Sequence, residues 1–169
     1  MTQAKVCMLG AFAAGKTSLV SRYVRNEYSE KYLTTVGVRI ERKVVRSADH
    51  ELDLVLWDLH GEDEFQRVRH SYLRGAAGCL FVVDGTRGPT LDTALRMQAE
   101  AVTTLGPIPC VFAINKADLR ASWALEEPDL DLLTARGLSV ILTSAKTSQG
   151  VEEAFAALVD GIAKTHAHG

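Results

Sequence analysis

Gly10-Ala11-Phe12-Ala13-Ala14-Gly15-Lys16-Thr17 decides how the rest of this chain is read. A glycine, four residues and then Gly-Lys-Thr is the spacing of a P-loop, in which backbone N–H groups wrap a phosphate. The flanks supply the context that the motif needs. Val6-Cys7-Met8-Leu9 is a short apolar run that reads as a buried strand. From Thr17 to Val24 apolar residues recur at helical spacing, Leu19 with Tyr23 and Val20 with Val24. A helix that starts right after a glycine-bounded loop adds the partial positive charge of its N-terminus to an anion site. Gly10, Ala13, Ala14, Gly15, Lys16, Thr17 and Ser18 are therefore expected to form a phosphate cradle. Lys16 would reach the β- and γ-phosphates, and the Thr17 hydroxyl would ligate Mg²⁺.

The 169 residues suit one domain of ordinary size with a full core. Hydrophobic residues at 47% and charged residues at 24% place the chain among soluble globular proteins. A net charge of −2 without a long run of one sign argues against a nucleic-acid-binding surface. Cys7, Cys79 and Cys110 all lie in apolar stretches, which fits buried, reduced thiols better than a disulfide framework. No stretch approaches about 20 apolar residues and no signal peptide is legible, so a cytoplasmic location is expected.

Outward from the loop, strand and helix patterns alternate. Residues 26–37 read as an exposed polar loop, and Val38 to Val45 begins in the alternation of a strand with one solvated face. A turn at Ser47-Ala48-Asp49-His50 leads to a second strand, Leu52 to Asp58, making a hairpin. Leu59 to Glu64 reads as a loop before a helix reaching Tyr72. Cys79 to Asp84 and Cys110 to Asn115 are apolar enough to be central strands of a parallel sheet. Helices are expected at Thr90–Thr104, Pro128–Ala135 and Val151–Lys164, with a strand from Leu138 to Thr143 and a frayed tail over 165–169. Six strands, most followed by a helix, describe a doubly wound α/β sheet. Such sheets bind ligands at the carboxyl ends of their strands, which here are Gly10, Asp58, Asp84, Asn115 and Thr143.

Three of those ends, Asp58, Asn115 and Thr143, open further motifs. Trp57-Asp58-Leu59-His60-Gly61 places a carboxylate where it can hold Mg²⁺ and a glycine whose N–H can approach a γ-phosphate. Alone, Asp-x-x-Gly is a common turn; its force comes from following an apolar strand downstream of the loop. Asn115-Lys116-Ala117-Asp118 offers a carboxylate to the N1–H and N2–H₂ donors of guanine, a pair that adenine lacks. Asn115 would tie base and loops together, and the Lys116 stem would cover the base face. Ser144-Ala145-Lys146 ends the next strand, where a backbone N–H can meet guanine O6.

With these motifs in this order, the chain resembles a small GTPase of the Ras superfamily, and the Rab branch most closely. Thr34-Thr35-Val36-Gly37-Val38, Tyr72-Leu73-Arg74-Gly75-Ala76-Ala77-Gly78 and Thr143 to Thr147 add to the likeness, which runs from Lys5 to about Ile162. The resemblance implies the P-loop NTPase (small G-protein) fold: a six-stranded, mostly parallel sheet with one antiparallel strand, flanked by about five helices. It implies GTP, GDP and Mg²⁺ as ligands, with Thr17, Thr35 and Asp58 as the metal set. Tyr28 takes the place of the aromatic that packs edge-on against guanine. Switch I spans about 28–37 and switch II about 59–70, both ordered by the γ-phosphate. An effector would read these switches and the exposed 38–46 strand, and an exchange factor and an activating protein would act on the cycle. A monomer is expected.

Three departures set this chain apart from the family pattern. Glu62 stands where the family has a glutamine that orients the attacking water. An ionised glutamate cannot donate to that water and brings negative charge towards a polyphosphate, whereas Lys16 and Mg²⁺ pull the other way. Phe12 replaces a small residue beside the γ-phosphate, where an activator inserts an arginine worth ~10³–10⁵ in rate. No arginine in cis takes over that role: Tyr32 occupies the relevant place, Lys31 is a weak substitute, and His60 precedes Gly61. Lys16, Thr35, Gly61 and Glu62 remain the expected catalytic set. Thr165-His166-Ala167-His168-Gly169 has no cysteine to prenylate and Met1-Thr2-Gln3 has no glycine to myristoylate, so membrane attachment is expected only through a partner. Such a core suits bacterial Ras-like GTPases as well as soluble eukaryotic ones. A slow GTPase switch, a GTP-loaded pseudo-GTPase that acts as an interaction module, and an ATP-dependent P-loop enzyme are the three readings. Asp118 disfavours the last.

Overall fold

Side-chain alternation along the strands decides how the protein is layered. The computed structural model describes residues 1–28, 38–47, 49–59 and 70–168. The elements are β1 (Thr2–Gly10), α1 (Lys16–Arg25), β2 (Val38–Ser47), β3 (His50–Leu59), α2 (His70–Leu73), β4 (Ala76–Asp84), α3 (Pro89–Leu105), β5 (Cys110–Asn115), a 3-10 stretch (Ala117–Ser122), α4 (Glu127–Ala135), β6 (Ser139–Leu142) and α5 (Val151–His168). They build a six-stranded sheet in the order β2-β3-β1-β4-β5-β6. β2 runs antiparallel to β3 in a hairpin, and every other pairing is parallel.

β4 is apolar at every position from Cys79 to Val83 because both of its faces are covered. Leu80 and Val82 pack with Val6, Met8, Leu19, Tyr23, Phe155 and Ile162, under α1 and α5. Cys79, Phe81 and Val83 point the other way, to Phe112, Ala94, Met97 and Leu133 under α3 and α4. Among the described residues β3 is fully covered on one side and partly on the other, so burial alternates along it: Leu52, Leu54 and Leu56 are buried, and Asp53, Val55 and Trp57 between them are partly exposed. The three cysteines lie in one register line, Cys7 beside Cys79 and Cys79 beside Cys110. All are free thiols; Cys110, nearest the sheet margin, is half-buried.

The hairpin, the parallel centre and the six strands agree with the sequence reading; β1, α1, β4 and α3 extend beyond their expected ends, β5 keeps its bounds, and β6 is shorter, Ser139–Leu142 instead of Leu138–Thr143. β1 begins at Thr2, and α5 continues past the end of its apolar stripe to His168, with Thr165 Oγ1 donating to Gly161 O at 3.0 Å. The 3-10 stretch after Asn115 carries no apolar periodicity and has no counterpart in the sequence reading.

β1 hands the chain to the loop at Gly10, whose φ is 149° and whose added Cβ would lie 2.4 Å from Val82 O. Only glycine fits between two parallel strands at that point. Gly10→Ala is expected to lower the unfolding free energy by about 3 kcal/mol, the range of an overpacked core site. Urea titration measures it, and a loss below about 1 kcal/mol would mean that the strand ends separate easily.

Candidate nucleotide site

The carboxyl ends of β1, β3, β4, β5 and β6 gather the sequence motifs at one edge of the sheet. Gly10, Ala13 and Gly15 all have positive φ (149°, 60° and 110°), which curls residues 10–15 into a concave loop. Gly15 is the N-cap of α1 and has no side chain to accept a hydrogen bond, and no acid lies in the first turn. The first-turn N–H groups, among them those of Lys16, Thr17 and Ser18, lack intrahelical acceptors, so the helix start offers donors and positive potential to an anion.

Lys16 is only 4% exposed, and its ammonium donates to Gly10 O at 2.9 Å and Ala11 O at 3.0 Å. Burial pushes its pKa down to about 8, against the opposing pull of Asp58. A buried cation held by two carbonyls is a site for an anion to occupy. Thr17 Oγ1 donates to Asp58 Oδ2 at 2.5 Å, and Asp58 is fully buried. A hydroxyl and a carboxylate facing each other are hard oxygen donors of the kind Mg²⁺ selects, so the residues present fit that ion.

Asn115 joins the phosphate loop to the far side of the site. It is 3% exposed, donates from Nδ2 to Ala14 O at 3.1 Å, and accepts at Oδ1 from Thr143 Oγ1 at 3.2 Å and Ala145 N at 3.4 Å. It also explains Gly15, where a Cβ would fall 2.2 Å from Asn115 Nδ2. Asp118 is exposed, and one of its oxygens accepts from buried Ser144 Oγ at 2.8 Å. Ser144 thereby fixes a carboxylate towards solvent, able to take paired N–H donors from a base. Tyr28 and Lys146 are exposed at the surface and Ala145 is buried. Thr35, His60, Gly61 and Glu62, with Lys31 and Tyr32, lie outside the described residues.

Four residues that carry no motif complete the arrangement. Asp84 is fully buried at the end of β4 and accepts from Lys116 Nζ at 2.7 Å, Thr86 N at 2.9 Å and Thr86 Oγ1 at 2.6 Å. Burial alone would raise its carboxyl, but the bonds from Lys116 and Thr86 hold it below the usual carboxylate range. Arg87 donates to Phe12 O at 3.0 Å and lies 3.9 Å from Asp84, bracing the phosphate loop from the β4–α3 connection. The Phe12 ring itself is 41% exposed. Arg22 reaches from α1 to Ala145 O at 2.7 Å and Lys146 O at 2.9 Å, and also to Asn26 Oδ1 at 3.0 Å where α1 ends. Trp123 donates from Nε1 to Lys116 O at 2.7 Å. Of these, only Asp84 left a signal in sequence, as a carboxylate closing an apolar strand.

Comparison with known proteins agrees with this geometry. The Ras family profile matches residues 5–164. The chain is 32% identical over 164 residues to the human Ras-related protein Rab-7L1, covering 92% of this chain and 80% of the relative. It is 34% identical over 160 residues to Arabidopsis thaliana Ras-related protein RABA6b, covering 94% and 70%. The fold, the motif order and these matches together show that the chain belongs to the Ras family and is a Rab-like small GTPase.

Proposed function

We propose that this chain binds GTP and GDP with Mg²⁺, hydrolyses GTP slowly, and signals to effectors through residues 28–37 and 59–70. The observation that carries the reading is the Asn115 bridge. It ties the loop bearing the buried Lys16 ammonium to the loop bearing the exposed Asp118 carboxylate. One ligand with a polyphosphate at one end and a guanine at the other satisfies both.

In this reading Lys16 and the N–H groups opening α1 hold the phosphates, and Thr17, Asp58 and Thr35 hold Mg²⁺, which neutralises phosphate charge. Asp118 takes guanine N1–H and N2–H₂, and the Ala145 N–H serves O6. Ser18 and Tyr28 border the nucleotide, and Lys116 flanks the base. Hydrolysis is attack by water on the γ-phosphorus with cleavage of its bond to the β–γ bridging oxygen, giving GDP and phosphate. Thr35 and the Gly61 N–H would steady the γ-phosphate as charge shifts towards the bridge. Glu62, in the place of the family's water-orienting glutamine, would accept a proton from that water but, ionised, not donate to it. The Phe12 ring would occupy the space an activator's arginine needs. An effector, an exchange factor and an activating protein are the partner classes that such a switch requires.

A pseudo-GTPase with permanently bound GTP is the second reading, favoured by the exposed Phe12 ring on a loop whose carbonyl Arg87 already holds. Single-turnover hydrolysis separates the two. Wild type should turn over no faster than the order of 10⁻⁴ s⁻¹ typical of unassisted small GTPases. Glu62→Gln and Phe12→Gly should each speed the reaction, the former by about tenfold, below the ~10²–10⁴ of a full general acid–base contribution because glutamine only orients the water. No detectable turnover in any of the three favours the module. Ready wild-type turnover that Glu62→Gln slows would make Glu62 the working base and sink the slow-switch reading.

A further inference from the structure

Lys116 has φ 71° and ψ 39°, a left-handed conformation that a residue with a Cβ holds only where its surroundings impose it. Its carbonyl accepts two hydrogen bonds, from Leu119 N at 2.9 Å and from Trp123 Nε1 at 2.7 Å. The first closes the turn that carries Asp118. The second pins that turn to an aromatic ring.

The ring is itself fixed on both sides. Trp123 lies directly on Gly85, where an added Cβ would fall 2.2 Å from Cε2 and 2.3 Å from Cδ2. The backbone after Trp123 is anchored to the same glycine, with Ala124 N and Leu125 N donating to Gly85 O at 2.9 and 3.2 Å. The Arg120 guanidinium lies over the ring, 4.5 Å from its centre, and is held by Glu127 at 2.8 Å. Gly85 φ is not in the left-handed region, so this position needs a glycine to make room for the indole rather than for backbone freedom.

We propose that Trp123 is the positioning residue for base discrimination: seated on Gly85, its indole N–H holds the Lys116–Leu119 turn so that Asp118 meets both guanine donors together. The proposal rests on the guanine reading of the site and goes beyond it. A bidentate contact weakens in both halves when its carrier loosens. The contact to the exocyclic amino group weakens along with the N1–H contact, while the phosphate contacts of the distant P-loop are untouched. Packing alone would not do this: losing a ring that merely fills space lowers stability and affects every nucleotide alike.

The test measures dissociation and affinity of GDP and of IDP, which lacks the exocyclic amino group, with ADP as reference. Trp123→Phe keeps a ring on Gly85 but removes the donor. It is expected to release GDP about five- to tenfold faster and to shrink the GDP-over-IDP preference by a similar factor. Gly85→Ala keeps the donor but displaces the ring, and should move both readouts the same way. If either variant folds and keeps the wild-type GDP-over-IDP preference within twofold, the proposal is overturned, even where its melting temperature drops. A wild type that fails to prefer GDP over ADP would remove the guanine reading itself, a result visible before any variant is made.

Discussion

Lys16→Met is expected to weaken GDP and GTP binding by about 10²–10⁴-fold while leaving the nucleotide-free protein as stable as wild type or more so. The ammonium is 4% exposed, and its partners in the fold are carbonyl dipoles at 2.9 and 3.0 Å, with Asp58 close enough to pull its pKa up. Burial nevertheless wins and lowers the pKa to about 8, so the fold bears a cost for the charge. Methionine keeps the length and packing and removes that cost, and so should not unfold the loop. What it cannot do is make charge-assisted hydrogen bonds to phosphate oxygens. Each is worth ~1.5–3 kcal/mol, and two lost bonds give the stated range. Affinity by displacement of a fluorescent nucleotide, beside thermal melting of the nucleotide-free protein, measures the two halves. Binding within tenfold of wild type would show that the backbone donors of α1 do most of the holding. A large fall in melting temperature would show that the ammonium is structural.

The parts of this site written in consecutive residues were legible in the sequence; the parts assembled across the sheet were not. Gly10 to Thr17 and Asn115 to Asp118 are each one loop, so their spacing states their geometry. β4 announced its central place because two covered faces demand apolar residues at every position. Arg22, Arg87 and Trp123 left no such trace. Arg22 acts on Ala145 and Lys146 across more than 120 residues, and in sequence it is one more cation near a helix end. Arg87 meets Phe12 only because β1 and β4 are neighbours. Trp123 follows a 3-10 stretch whose local hydrogen bonds leave no hydrophobic period to read. Glycines illustrate the same divide. Gly15 was legible as part of a motif, but its reason, Asn115 Nδ2 lying 2.2 Å from where a Cβ would stand, belongs to a contact 100 residues away.

Asp118→Asn should convert the protein from a guanine binder to a xanthine binder. The carboxylate is exposed, and Ser144 Oγ holds one of its oxygens at 2.8 Å, so its orientation is set before any base arrives. Two acceptor oxygens match the adjacent N1–H and N2–H₂ of guanine. Adenine presents a lone pair at N1 and no donor at C2, so it meets the carboxylate with repulsion and leaves it unpaired. Asparagine replaces one acceptor with a donor. Its carbonyl still takes N1–H, and its amide donates to the C2 carbonyl that xanthine has in place of the amino group. Its oxygen or amide nitrogen can also keep a bond to the Ser144 hydroxyl, so the loop should keep its shape. A site built around hydrogen bonds rejects a mismatched partner by ~10⁴–10⁵, so the GDP-to-XDP affinity ratio should invert by about that span. Competition of GDP, XDP and ADP against one labelled nucleotide on both proteins reads it directly. If the variant loses all three nucleotides equally, Asp118 supports the loop rather than reads the base. If it keeps its preference for GDP, the carboxylate is not what selects guanine, and selection must come from the Ala145 N–H and its neighbours in the β6–α5 loop.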